Sequence, residues 1–143
     1  TENVGLGLIE GYGLKNAAVA MSIAHDSHNI ITVGDNDGDM LKAVNELKRI
    51  QGGLAIVSNG IVLDSLPLEI AGLMTNADFE EVTKKLNHMH KIARDYGVTK
   101  LVDDPYLSLA FMSLPVIPEL KLTDEGLFDV TQFKPVDIEE DAL

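Results

Sequence analysis

The chain has 143 residues, of which 45% are hydrophobic and 24% charged, a composition typical of one soluble globular domain. It contains no cysteine, which excludes a disulfide framework and thiolate metal sites and favours a reducing, cytoplasmic location. Its net charge of −12 argues against nucleic-acid binding, because phosphate backbones require clustered Lys and Arg. With no apolar run of about 18 residues and no signal peptide, we expect no membrane partner.

The first part of the chain predicts strands separated by a polar loop. Residues 4–13 are glycine-rich, and we interpret them as a strand with irregular edges. Residues 17–23 and 30–33 are short apolar runs, which favour buried strands. The polar segment 24–29 lies between them and is predicted to be a tight loop.

Residues 37–51 are predicted to form the first of two principal helices. Asn36 can cap it, and acidic residues at 37 and 39 suit the positive end of the helix dipole. Gly52 and Gly53 should end the helix. Its apolar residues recur at helical spacing, and they are Met40, Leu41, Val44, Leu47 and Ile50.

A hairpin and the second principal helix follow. Residues 54–58 and 61–66 flank Asn59-Gly60, a pair that tolerates the positive φ angles of a type I′ turn. The second helix is predicted near residues 78–96, and Gly97 ends it. Its predicted apolar face consists of Phe79, Val82, Leu86, Met89, Ile92, Ala93 and Tyr96.

The C-terminal part predicts one short helix and extended pieces. Asp104-Pro105 fits a cap followed by proline in the first helical turn, and this helix should stop before Pro115. Pro118, Gly126 and Pro135 then divide the chain into short extended pieces. We therefore predict an α/β fold, a mixed α+β sandwich in which one sheet carries two principal helices and the Asn59-Gly60 hairpin.

The loop between the first two buried strands carries the densest set of polar side chains. His25, Asp26 and His28 are candidate residues for assisting catalysis, because two imidazoles and a carboxylate on one loop could orient a ligand, move protons or bind a metal. A His-x-x-His pair without further ligands is weak evidence for a metal. Asp26 can hold one imidazole in a fixed tautomer. Ser27 and Asn29 are candidates for substrate binding. The alternative is a purely structural loop whose side chains hydrogen-bond nearby backbone.

Two other polar patterns favour structural interpretations. Residues 35–39 resemble a calcium loop, but Met40 occupies the position where an EF-hand requires glycine, so we interpret them as a helix start. His88 and His90 are two residues apart on a helix and point in different directions. We expect both to face solvent, and we predict no metal site in this chain.

Several segments, in this order along nearly the whole chain, resemble the C-terminal domain of bacterial and archaeal adenine deaminases. The two most specific are the segment Ala-His-Asp-Ser-His-Asn and the segment Pro-Val-Ile-Pro-Glu-Leu-Lys-Leu-Thr. The resembling segments are residues 11–15, 24–29, 52–54, 66–74 and 114–123. The resemblance assigns residues 1–143 to that domain.

The resemblance implies a full-length hydrolase of the amidohydrolase superfamily, acting in purine metabolism, that converts adenine and water into hypoxanthine and ammonia. Manganese or iron would sit in a separate (β/α)8 barrel of the same protein. None of the barrel's metal ligands can be placed on this sequence, so we expect no cofactor and no activity in this chain alone. The loop 25–29 would close over the barrel's active site. Alternatively, the domain would serve assembly alone, and a homo-oligomer is expected.

Overall fold

A four-stranded antiparallel sheet is the centre of the computed structural model, which describes residues 3–138. Its strands lie in the order β2-β1-β3-β4. They are β1 (Ala18–Met21), β2 (Ile31–Gly34), β3 (Gly53–Ser58) and β4 (Ile61–Pro67). Every residue of β1 and β3 is buried, because the two inner strands are covered on both faces. This explains why they appear in the sequence as continuous apolar runs rather than alternating ones.

The two principal helices pack on opposite faces of this sheet. The helices are α1 (Asp37–Arg49) and α2 (Phe79–Asp95). Alternate residues of β1 face the two helices: Ala18 and Ala20 pack in the cluster with α1, and Val19 and Met21 pack in the cluster with α2. The period of two follows from the pleat of the strand. The predicted mixed α+β sandwich with two principal helices is confirmed.

Both helices begin where the sequence predicts. The Asn36 side chain accepts a hydrogen bond of 2.8 Å from the Asp39 N–H, and α1 ends where the Gly52 N–H donates to the Leu47 carbonyl at 2.8 Å. The predicted apolar faces need two corrections. Leu41 is exposed, and Phe79 is 83% exposed because it lies in the first turn, beyond the edge of the sheet contact.

The predicted hairpin at Asn59-Gly60 is confirmed. Strands β3 and β4 pair antiparallel, and the two turn residues have φ angles of 50° and 74°. Both turn N–H groups donate to the carboxylate of Asp39, while the Asp35 carboxylate accepts from the N–H groups of residues 16 and 17. The acidic segment 35–39 therefore ties neighbouring loops to α1, in agreement with its interpretation as a helix start.

A second, three-stranded sheet corrects the prediction of one sheet, and it is formed by the predicted short extended pieces. It consists of β5 (Leu120–Thr123), β6 (Gly126–Asp129) and β7 (Lys134–Val136), paired antiparallel in that order. Residues 124 and 125 form the turn between β5 and β6, and Gly126 follows it with φ 118° as the first residue of β6. Before this sheet, the short helix α3 (Leu107–Ala110) runs into a 3-10 turn (Phe111–Ser113). As predicted, it begins after Asp104-Pro105 and stops before Pro115.

The prediction of a strand at residues 4–13 is wrong, since these residues form no ladder in the structure. Their glycines serve close packing. A Cβ atom at Gly5 would lie 1.8 Å from the Thr123 carbonyl oxygen, and one at Gly7 would lie 3.0 Å from the Leu127 side chain. The segment therefore follows the hairpin of β5 and β6 at a distance that only glycine permits.

Candidate functional site

The loop between β1 and β2 is fixed through the backbone of His25. The His25 N–H donates to the Ala110 carbonyl at 3.1 Å, and the Ser113 hydroxyl donates to the His25 carbonyl at 3.2 Å. Both partners belong to α3 and the 3-10 turn that follows it. Two hydrogen bonds on one residue therefore set the position of the loop relative to the rest of the domain.

A tight turn closes the loop. The His28 N–H donates to the Ala24 carbonyl at 2.6 Å, and His28 adopts a left-handed backbone with φ 51°. That conformation is uncommon for a residue with a Cβ atom. Glycine adopts it most readily, but histidine is enriched there among residues with a Cβ atom, as asparagine and aspartate are, so the turn accommodates His28.

The five predicted site residues lie together, and most of their side chains face outward. His25 is partly buried, whereas Asp26, Ser27, His28 and Asn29 are exposed. The imidazole rings of His25 and His28 have centroids 5.9 Å apart at an angle of 61°. Two imidazoles at this separation can contact one small planar ligand. The neighbouring side chains add a carboxylate, a hydroxyl and an amide to the same surface.

The chain is similar to known proteins over almost its whole length. The family model described as adenine deaminase C-terminal domain matches residues 1–134. The chain belongs to this family. It is 55% identical over 138 residues to adenine deaminase 2 of Carboxydothermus hydrogenoformans, covering 96% of this chain and 24% of that protein. It is 50% identical over 133 residues to the adenine deaminase of Clostridium acetobutylicum, covering 92% and 23%.

The adenine deaminase of Geobacillus kaustophilus gives a similar result, with 48% identity over 136 residues covering 95% of this chain and 23% of that protein. The chain thus spans about a quarter of the length of these relatives. The resemblance to the C-terminal domain of adenine deaminases, which was recognised in segments such as 24–29 and 114–123, is confirmed at the level of the family.

Within residues 3–138 of this adenine deaminase domain, no three His, Asp or Glu side chains come together as a metal ion would require. Histidine and carboxylate side chains do meet in pairs. His88 Nδ1 lies 2.7 Å from Asp64, and His90 Nε2 lies 3.4 Å from Asp104. Asp26 takes part in neither contact, so its role in holding an imidazole stays a prediction.

The two helix histidines differ from each other in environment. His88 is exposed as predicted, although its imidazole pairs with Asp64. His90 corrects the prediction, because it is partly buried and stacks on Tyr106 with ring centroids 5.9 Å apart and an angle of 19°. Burial of Tyr106 raises the pKa of its phenol above the usual value. His90 therefore packs α2 against Tyr106, the residue that precedes α3.

Two residues beside the loop were not predicted from the sequence. Ser113 holds the His25 carbonyl, and the ring of Phe111 lies 5.2 Å from the His25 imidazole, centroid to centroid. Both are more than 80 residues from His25 along the chain, so no local spacing relates them to the loop. The one signal that the sequence offers is that Phe111 is an aromatic residue directly after the predicted short helix.

Within residues 3–138, no helix combines the length and apolar character that a membrane crossing needs.

Proposed function

We propose that this domain completes the active site of an adenine deaminase, a cytoplasmic hydrolase of purine metabolism that converts adenine and water into hypoxanthine and ammonia. In this proposal residues 25–29 cover the mouth of a (β/α)8 barrel in the same protein, and adenine is the partner they contact. The relatives bear the name adenine deaminase and are about four times as long as this chain, which leaves ample length for a barrel.

One observation carries the proposal: the loop is fixed through its backbone while its polar side chains are exposed. His25 is held at its N–H by Ala110 and at its carbonyl by Ser113, whereas the side chains of residues 26–29 face outward. A rigid support with outward functional groups is the arrangement that a positioned site requires. A purely structural loop would more often direct such groups back to its own backbone.

The side chains suit adenine, whose unprotonated ring nitrogens accept hydrogen bonds and whose exocyclic amine donates them. In the proposed complex His25 and His28 contact the ring or the leaving ammonia, and an imidazole can donate or accept a proton near neutral pH. Asp26 assists by orienting an imidazole or accepting from the amine. Ser27 and Asn29 bind the substrate through their hydroxyl and amide groups.

The metal belongs to the barrel in this proposal. Manganese or iron would activate the attacking water there. The described residues of this chain bring no three metal-ligating side chains together and therefore do not fit the ion. What residues 25–29 contribute is contact with the purine and exclusion of bulk water from the closed site.

Alanine substitutions in the full-length enzyme test the proposal. His25→Ala, Asp26→Ala and His28→Ala are each expected to lower adenine turnover by about 10²- to 10⁴-fold, the usual effect of losing a positioned acid or base. His88→Ala is the matched control, because it removes an exposed histidine from α2. Turnover per folded molecule within about twofold of wild type for all three loop variants contradicts a catalytic role.

A second candidate function is structural, and an exposed apolar strip favours it. Val4, Leu6 and Leu8 are 80%, 67% and 90% exposed, while the glycines between them face the second sheet. Aliphatic side chains on one face of a segment are typical of a surface that another element covers. In this candidate function the barrel of the same protein covers the strip and the loop does not touch substrate.

Charge placed on the strip separates the two candidates. In the full-length protein, Leu6→Asp with Leu8→Asp is expected to lower the melting temperature if the strip is covered, whereas Leu101→Asp, at another highly exposed leucine, should leave it unchanged. A lower molecular mass in solution would instead identify a second copy as the occupant, in keeping with the expected homo-oligomer. An unchanged melting temperature and mass contradict the structural role of the strip.

A further inference from the structure

Phe111 is the residue whose side chain lies against the candidate catalytic imidazole. It is the first residue of the 3-10 turn, and its ring centroid is 5.2 Å from that of His25 with an angle of 35° between the planes. The phenyl ring remains 38% exposed, so it lies at the surface beside the loop. It reaches His25 from the same segment that supplies both backbone contacts, through Ala110 and Ser113.

The backbone contacts alone do not determine where the imidazole points. They fix the N–H and carbonyl of His25, but the side chain retains two rotatable bonds. Its orientation depends on the groups packed against the ring. On one side lies the phenyl ring of Phe111, and on another lies His28, whose ring centroid is 5.9 Å away in an edge contact. Aromatic rings in contact at such distances prefer particular mutual orientations.

We infer that Phe111 is a positioning residue, which holds the His25 imidazole in the orientation that it presents to the substrate. This inference rests on the proposed function of the loop and adds to it a residue outside the loop. The segment 110–113 then acts as one support, because its residues fix the backbone of His25 at two atoms and its ring on one face. Phe111 itself takes part in no proton transfer.

The ring contact can be tested without any activity. The chain encloses its own apolar clusters on both faces of the central sheet, so the 143-residue chain can be studied by NMR. Phe111→Leu removes the ring but keeps an apolar side chain, and it is expected to change the ring-current shift of the His25 ring protons and to abolish their NOEs to aromatic protons of residue 111. Phe111→Tyr should retain both, and so should Leu107→Ala, which removes an exposed apolar side chain one helical turn away. Wild-type spectra without these NOEs overturn the inference.

Kinetics of the full-length enzyme test the functional part. Misplacement of a reacting group by about 1 Å can cost about 10²-fold in rate, so Phe111→Leu should lower kcat at least tenfold with a smaller change in KM. It should also change the pH profile of kcat/KM, because the imidazole samples other environments. Phe111→Tyr keeps the ring and should therefore keep the wild-type kcat and pH profile. The kcat of Leu107→Ala should stay within twofold of the wild-type value.

The result for His25→Ala separates the two possible failures. If His25→Ala lowers turnover and Phe111→Leu does not, Phe111 has no positioning role and the proposed function of the loop stands. If neither variant lowers turnover, the proposed function fails and the inference fails with it. A fall in melting temperature with normal kcat per folded molecule would identify Phe111 as a stabilising residue only, and this also overturns the inference.

Discussion

The carboxylate of Asp39 accepts a hydrogen bond of 2.6 Å from the backbone N–H of Gly60, and this contact joins the first turn of α1 to the turn between β3 and β4. Asp39 is only 3% exposed. The hydrogen bond from the Gly60 N–H is the main reason why the pKa of this carboxyl lies below its usual value, although burial acts to raise the pKa. The contact therefore stabilises the fold more when the carboxyl is ionised than when it is protonated.

We predict that Asp39→Asn lowers the free energy of unfolding by about 1–3 kcal/mol at pH 7, the typical cost of leaving a buried hydrogen-bonding group unsatisfied. A lowered pKa stabilises the fold above the unfolded-state value of about 3.9, and the effect is lost as the pH falls through the folded-state value. The difference from wild type should thus shrink below about pH 4. Urea unfolding across pH measures it. The exposed Asp37→Asn is the control, and a pH-independent difference would contradict the assignment.

Two glycines of the hairpin should respond very differently to alanine. At Gly60, φ is 74° and a Cβ would meet no atom within 4 Å, so Gly60→Ala should cost only the backbone term of about 1–2 kcal/mol. At Gly53 a Cβ would lie 2.0 Å from the Leu66 carbonyl oxygen. Because this atom belongs to the paired strand, Gly53→Ala should cost about 4 kcal/mol or more. Thermal melts compare the variants, and equal losses would show that the pairing of β3 with β4 is not as described.

Asp64 links β4 to α2 through two basic side chains. Burial is the largest single influence on the pKa of the Asp64 carboxyl, and it raises this pKa. Hydrogen bonds from Lys85 and His88 lower the pKa and together outweigh burial, so the net shift is downward. We predict a coupling energy of about 1 kcal/mol between Asp64 and Lys85 in a double-mutant cycle of Asp64→Asn and Lys85→Gln, at the upper end for exposed pairs. Urea unfolding at low and high salt measures it. A coupling energy of zero at low salt would rule out a stabilising ion pair.

Local signals allowed most of the central fold to be predicted from the sequence. The Asn36 cap, the spacing of Leu47 within α1 and the Asn59-Gly60 turn each express chemistry within a few residues, so they can be recognised without knowing the fold. The site loop was recognisable for a similar reason, because its polar residues are contiguous. The family resemblance rests partly on this contiguous stretch and partly on other segments, above all residues 114–123.

The errors concern contacts between residues distant along the chain. Residues 4–13 have the composition of a strand, but the close approach of Gly5 to Thr123 depends on a hairpin more than 100 residues later. The second sheet was missed because a glycine such as Gly126 can end one strand or begin the next, and only strand pairing decides between the two. The packing of Phe111 against His25 and of His90 against Tyr106 depends on where α3 lies, which no local pattern specifies.

We predict that the 143-residue chain alone does not deaminate adenine. Activation of water at neutral pH in this chemistry requires a metal held by about three protein ligands, whereas the described residues bring no such group together. The imidazoles of His25 and His28 can orient a purine or move a proton, and these contributions accelerate a reaction only where an activated water is already in place. An ammonia-release assay with added manganese measures the activity, with the full-length enzyme as the positive control. Turnover of the isolated chain clearly above buffer, and lost in the chain carrying His25→Ala and His28→Ala, would place the chemistry in this domain and refute the assignment of the metal to the barrel.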